Sequence, residues 1–443
     1  MLFLHPLIEA AALNDTRRND RLFACVAALV AGGAVRASEN ASWAHTMACY
    51  RFYQNDAVPL HALYDVARDA VRAQLPRGGR VYLAHDPSLL DFSRHNTKRD
   101  RVPIGDHRGL GYELYSVLAL DAQGRPLGPV FQEVRTARGC HSSEPLPRSA
   151  RRRTALFVGH IEQMEKAVDA TREQLAEFER VHVADREFDD LAMQRGMFAA
   201  DPPERYIVRA QHLTRRVLHE DVPCHLKDAA EAVVLKRTHT VEREGVRYRQ
   251  YVGETEVVLD GLSRRGRHRG DTPQRGEPIR VRVVVAELRA RGHETLRWVL
   301  LTNLSDPILE VVRAYVWRWK IERYFFLTKV GFRLEEWTQQ DGERLARRLA
   351  VSSLAALVIH RLLSLKDDPE REETIKEIAR RGNWLGRKRD PIGPIVLMRG
   401  MMRLLEALAL VEQLGVAKIR SLAEEILPGI SRETQASRRR KDV

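Results

Sequence analysis

Apolar positions change their spacing several times along this chain, and each change marks an element. Residues 14–75 carry helical spacing. Asn14 or Asp15 can cap a helix that runs through Arg17, Arg18 and Arg21 into an apolar run, and a second helical pattern spans 59–75. Arg77-Gly78-Gly79 breaks the pattern. Val81-Tyr82-Leu83-Ala84 then reads as a short buried strand ending at Asp86. Residues 112–120 and 127–134 read as two strands of a hairpin turned by Asp121-Ala122-Gln123-Gly124. Helical spacing returns over 161–180, and Val181-His182-Val183-Ala184 is another short strand, ending at Asp185. The expected order is strand, strand, strand, helix, strand, with an aspartate closing the first and the fourth.

Between 203 and 303 the pattern becomes β-rich. Runs at 205–210, 232–235, 246–252, 254–259, 278–286 and 296–303 suggest strands, several of them alternating as in Ile279-Arg280-Val281-Arg282-Val283. A basic loop, Arg264-Arg265-Gly266-Arg267-His268-Arg269, lies among them. Helical spacing resumes over 309–330, 343–366 and 395–425, and the chain ends in a basic tail containing Arg438-Arg439-Arg440-Lys441. No internal repeat stands out.

A chain of 443 residues exceeds one ordinary core, so several domains are expected. The division read from the pattern is 1–75 (helical), 76–195, 196–303 (a β insertion), 304–370 and 371–443 (helical, with a basic tail). Apolar residues make up 44% and charged residues 30%, which excludes a disordered chain. The formal charge of +13 points to a polyanionic partner, nucleic acid first. The four cysteines show no C-x-x-C spacing, so no zinc ribbon is expected and a reducing compartment suits them. Cys140-His141 and Cys224-His225 are read as chance neighbours. The first residues lack a basic n-region and cleavage site, and the apolar stretch 22–35 is too short to span a bilayer, so a cytoplasmic protein is expected, with no membrane partner.

The segment 315–329 carries the most chemistry. Tyr315, Arg318, Glu322 and Lys329 fall within roughly 60° of one helix face at about 100° per residue. A phenol, a guanidinium, a carboxylate and an ammonium thus share a stripe among Trp319, Phe325 and Phe326. Spacing alone favours an ordinary solvated face with an i,i+4 Arg–Glu pair. Carboxylates without nearby His or Cys ligands suit a hard ion such as Mg²⁺, and two such ions can serve both oxygens of a phosphodiester displacement.

These blocks resemble the DDE transposases of the IS-four family, in particular the Tn-five transposase subgroup. Tyr315, Arg318, Glu322 and Lys329 match that family's Y-(2)-R-(3)-E-(6)-K signature with every spacing kept. Asp185-Arg186-Glu187-Phe188-Asp189 matches its D-R-E-x-D block, and Asp86 its first catalytic aspartate. The stretch from Leu13-Asn14-Asp15-Thr16-Arg17-Arg18 to Tyr50-Arg51-Phe52 is similar to the subgroup's DNA-binding region, and the resemblance runs over about 10–410. Three features depart from it: Asp86-Pro87-Ser88 where the family commonly has Thr-Thr after the aspartate, Asp190-Leu191 where a polar aromatic is frequent, and a shorter C-terminal part. Asp91, Glu187 and Asp189 add acids near the matched positions.

The resemblance implies an α/β fold: an RNase H-like core interrupted by an antiparallel β insertion, with helical regions at both ends. It implies that Asp86, Asp185 and Glu322 ligate two Mg²⁺ ions (Mn²⁺ substituting) and are catalytic. Tyr315, Arg318 and Lys329 would contact phosphates of a transposon end. Trp298 would stack a flipped base, although a core tryptophan in a strand fits the sequence equally. Trp319 is expected to pack in the core, contact with DNA being the alternative. Arg17, Arg18 and Arg21 would face DNA, a solvated helix face being the alternative. The implied activity is cut-and-paste transposition: strand nicking, hairpin formation, hairpin opening and strand transfer on double-stranded DNA by a homodimer. Two other readings stay open, an RNase H-like nuclease without strand transfer and a catalytically silent DNA-binding inhibitor.

Overall fold

The computed structural model describes residues 3–32, 43–105, 108–145, 159–243, 245–263, 274–386 and 391–426. The basic loop at 264–269 and the basic tail lie outside them. By contacts the chain divides into two compact units, residues 1–29 with 33–361, and residues 30–32 with 362–443.

After a short helix at His5–Glu9, the first unit continues with helices α1 (Thr16–Val30), α2 (Trp43–Gln54) and α3 (Leu60–Arg72). The apolar face of α3 is buried through Leu63, Val66, Ala67, Ala70 and Val71, the i, i+3, i+4 pattern of a helix lying on a core. The chain then enters β1 (Arg80–Asp91), β2 (Val102–Ile104), β3 (Gly109–Leu120), β4 (Pro126–Thr136) and β5 (Gly139–Ser142). Helix α4 (His160–Gln174) leads to β6 (Glu179–Ala184), and α5 (Leu191–Ala199) to β7 (Arg205–Arg209). The sheet order β4-β3-β1-β6-β7 has the first three strands antiparallel and β6 and β7 parallel to β1. That is the order and direction of an RNase H-like core. Parallel neighbours need crossovers, which α4 and α5 supply.

The strand at 205–209, which the alternating pattern groups with the insertion, is the fifth core strand. The insertion proper comprises β8 (Arg216–His219), β9 (Val222–His225), helix α6 (Leu226–Ala232), β10 (Lys236–Arg243), β11 (Val246–Leu259), β12 (Leu262–Ser263), β13 (Gln274–Arg275), β14 (Ile279–Arg289) and β15 (Leu296–Thr302). It is antiparallel, as expected. However, β15 pairs with β7, so the insertion extends the core sheet. Two local expectations fail. The apolar run at 232–235 is the end of α6 and the connection after it, because an Ala-rich turn with a His225–Asp228 capping box buries Leu226, Ala229 and Ala230. Residues 246–259 form one strand, since β11 pairs with β14 without interruption across Gly253.

The chain returns to the core in α7 (Ile308–Trp317), α8 (Lys320–Phe326) and α9 (Gly342–Ser364). Helix α9 is long and apolar enough to cross a bilayer, yet residues 345–360 are all buried in the first unit, and its Ser353 bonds to Gln132 of β4. In the second unit α10 (Glu372–Arg381) packs on α11 (Pro394–Ile426). Gly382 and Gly400 make this crossing close: a Cβ on Gly382 would strike the Val396 carbonyl, and one on Gly400 the Ile378 carbonyl.

Candidate active site

Strands β1 and β6 are hydrogen-bonded parallel neighbours as far as Ala84 and Val183, which carries Asp86 and Asp185 side by side beyond the last paired residues. The expectation that β1 stops at Asp86 is wrong. The strand continues to Asp91, paired with β3 alone, and Pro87 sits opposite Tyr115. A stretch paired on one side tolerates a residue without an N–H, which accounts for a proline next to the aspartate.

The helix bearing Glu322 is not one uninterrupted α-helix. The amides of Arg318 and Trp319 bond to carbonyls three residues back, over 3.1 and 3.3 Å, and so separate α7 from α8. After Phe326 a π-helical turn covers Leu327–Gly331. Across the tight turn Arg318 and Glu322 still meet. Arg318 Nη2 stands 3.0 Å from Glu322 Oε1 and 3.4 Å from Asp185 Oδ2, and its Nη1 lies 3.4 Å from Asp86 Oδ1. Three carboxylates from two strands and a helix therefore surround one guanidinium that is 3% exposed.

Each carboxylate has a distinct setting. Asp185 Oδ1 accepts from the Arg186 amide at 2.8 Å, capping a short turn, and from the Tyr315 hydroxyl at 3.1 Å. Arg209, at the end of β7, stands 3.7 Å from the same oxygen. Burial pushes the Asp86 carboxyl up to about 7. Arg318 opposes that rise, while Glu187, Glu322 and Asp185 add to it. Glu322 is the most open of the three. Tyr315 is buried, and its hydroxyl is pushed up to about 12 by burial and by Asp185.

The neighbouring acids are accounted for elsewhere. Asp189 is buried and accepts from the amides of Gln211 and His212, from Gln194 and from Arg215, so it locks the loop after β7. Asp91 accepts from the amide and hydroxyl of Ser93. Glu187 binds His160 Nδ1 at 2.7 Å, while His160 Nε2 binds Glu113 at 2.6 Å. Those two carboxylates raise the His160 imidazole to about 9.

The remaining candidates lie as follows. Lys329, in the π turn, donates to the Leu89 carbonyl at 2.6 Å, on the continuation of β1. Trp298 is 8% exposed, its ring centroid 6.1 Å from that of Tyr315. Trp319 is not a core residue: it is 42% exposed, with the Arg243 guanidinium 4.7 Å from its ring centre. A turn between α7 and α8 turns it outward where an unbroken helix would have tucked it in. Arg18 donates to the carbonyls of Leu13 and Ala57, and Arg17 pairs with Asp15, so both side chains already have partners within the N-terminal helices. Arg21 lies half-buried on α1. Sequence reasoning missed Arg209 and His160. No local motif flags either, because Arg209 reaches the site through the pairing of β7 beside β6 and His160 through the packing of α4 on the sheet.

A cleft of about 610 Å³ opens beside Asp185, lined among others by Arg186, Arg209, Gln211 and Arg297. Its arginines suit a polyanion passing the carboxylates. The oxygen-only donor set of Asp86, Asp185 and Glu322 suits a hard divalent ion. Among the described residues, no three acidic, His or Cys side chains stand close enough together to hold an ion, and Arg318 occupies the space between the three acids.

No protein-family model matches the chain, and no curated protein does. Among solved structures, a cryo-EM structure of a piggyBac transposase synaptic complex with hairpin DNA is similar over 93% of this chain and 76% of that one, at 10% identity and a TM-score of 0.41.

Proposed function

We propose that this chain is a DDE-type DNA transposase acting by divalent-metal phosphoryl transfer. The observation that carries the reading is the convergence of Asp86, Asp185 and Glu322, from separate elements of an RNase H-like core, on the single buried side chain of Arg318. The kept spacing of Tyr315, Arg318, Glu322 and Lys329 supports it.

In this reading the three carboxylates hold the metal, and bound divalent ions supply the Lewis-acid charge that phosphodiester transfer requires. The protein's own groups do the rest. Tyr315 fixes the Asp185 carboxylate by donating to it. Arg209 and Arg318 offer guanidinium groups to phosphate oxygens, and Lys329 extends that charge along β1. Trp298 lies one ring from the site and takes an extruded base only after it is uncovered. Double-stranded DNA is the substrate, two copies act together on paired ends, and the steps are nicking, hairpin formation, hairpin opening and joining to target.

The test uses DNA carrying the inverted repeats that flank the gene, incubated with the protein and Mg²⁺, with products resolved on a denaturing gel. Hairpin ends and joined products are expected. Nicks or breaks without either would leave an RNase H-like nuclease, and binding without any cut would leave a DNA-binding inhibitor.

A further inference from the structure

We propose that Arg318 is an internal counter-ion that couples metal binding to DNA binding: it holds the carboxylates closed to a divalent ion until a DNA phosphate draws its guanidinium away. The inference rests on the proposed function and adds an order of events to it.

Three observations carry it. Arg318 touches all three acids at once, at 3.4, 3.4 and 3.0 Å. A guanidinium in that position fills the place and supplies the charge that a metal ion would otherwise provide, so ion and side chain compete. Second, the site is short of positive charge even so, because three carboxylates face one close cation and Arg209 stands farther off at 3.7 Å. An incoming divalent ion would therefore be held strongly once the guanidinium leaves. Third, Arg318 is imperfectly satisfied where it sits: its Nε is buried and has no hydrogen-bond partner among the described residues. A buried donor left unpaired favours an alternative position that pairs it. A phosphate offers this, since it accepts two parallel N–H bonds from one guanidinium. The arginine-lined cleft beside Asp185 brings a phosphate backbone to within reach.

Linkage then sets the sign. If DNA removes the competitor of the metal, DNA must tighten metal binding, and metal must tighten DNA binding by the same factor. The carboxylates would stay metal-poor in the free protein and become loaded on DNA, which restrains cutting away from a bound substrate.

The test is Mn²⁺ binding to the full chain, read as loss of the free-ion electron paramagnetic resonance signal, with and without a random-sequence duplex at low salt. Wild type without DNA is expected to bind Mn²⁺ weakly and to gain about ten-fold or more with DNA, within the usual range of such couplings. Arg318→Gln should bind about ten-fold more tightly than wild type without DNA and lose most of the dependence on DNA. Arg318→Lys, which keeps a cation but fewer contacts, should show a smaller gain in the same direction, and it carries the test if the glutamine variant does not fold. Asp185→Asn reports the background. Wild type that binds Mn²⁺ without DNA as tightly as either variant overturns the coupling and leaves the proposed function standing. Wild type that binds no more Mn²⁺ than Asp185→Asn, even on DNA, overturns the proposed function itself.

Discussion

Gln132 and Tyr324 join the middle of β4 to the helix that carries Glu322: the Gln132 amide nitrogen donates to the Tyr324 hydroxyl over 3.0 Å. The same amide donates to Ser116 Oγ at 2.8 Å, and its oxygen accepts from Tyr64 and Ser353, each at 2.8 Å. Ser116 lies opposite Asp86 in the β1–β3 ladder. One buried amide therefore ties α3, β3, α8 and α9 together behind the acidic cluster, with its polar atoms satisfied. Replacing it by leucine strands the hydroxyls of Tyr64 and Ser116, while Tyr324 and Ser353 keep each other at 3.1 Å. Gln132→Leu is expected to cost about 3 kcal/mol in denaturant unfolding, each unpaired group costing about 1–3 kcal/mol before relaxation. A cost below about 1 kcal/mol would show that the hub contributes no more than an ordinary contact.

Tyr315 is expected to act through Asp185. Tyr315→Phe removes a hydrogen bond to a carboxylate and leaves the ring packed against Trp298. Bonds to charged groups contribute about 1.5–3 kcal/mol, so cleavage should fall about ten-fold or more while thermal stability changes little. Unchanged cleavage would remove Tyr315 from the site.

The raised carboxyl of Asp86 gives a pH signature. Its folded value of about 7 lies above the ordinary 3.8, so between those values the folded protein binds more protons than the unfolded one. That group therefore lowers stability as pH rises from about 4 to about 7. Asp86→Asn lacks the effect, so in chelator its stability relative to wild type should climb between pH 5 and pH 8. A difference that stays flat would mean the carboxyl is ionised throughout.

His160 has the opposite sign of effect. Its folded value of about 9 exceeds the ordinary 6.5, so its pairing with Glu113 and Glu187 contributes fully below pH 6.5 and is lost through pH 9. After discounting for its one-third exposure, His160→Gln should cost roughly 1 kcal/mol at pH 6 and almost nothing at pH 10. Equal costs at both pH values would assign His160 a packing role only.

Much of the candidate site's geometry was legible because it depends on local signals. Short apolar runs ending at Asp86 and Asp185 locate two parallel strands, and the 3–4–7 spacing locates Arg318 and Glu322 together. What escaped depends on non-local pairing. Nothing within 205–209 says that it pairs with β6 in parallel, so it looks like the antiparallel strands after it. Helical arithmetic places Tyr315, Arg318, Glu322 and Lys329 on one face. The tight turn at Arg318 and the π turn at Leu327–Gly331 break that arithmetic, exposing Trp319 and sending Lys329 to Leu89. Arg18 looked free for DNA because its partners, two backbone carbonyls, leave no mark in a sequence.

The most direct test of the central claim exchanges one ligand for a softer one. Asp185→Cys, assayed for DNA strand cleavage, should be inactive with Mg²⁺, which avoids thiolate, and should recover with Mn²⁺, which accepts it better. Recovery confined to Mn²⁺ is the result predicted for a carboxylate that holds the metal. Cleavage by this variant in Mg²⁺ at the wild-type rate, or in chelator, would contradict metal-dependent transfer at Asp86, Asp185 and Glu322.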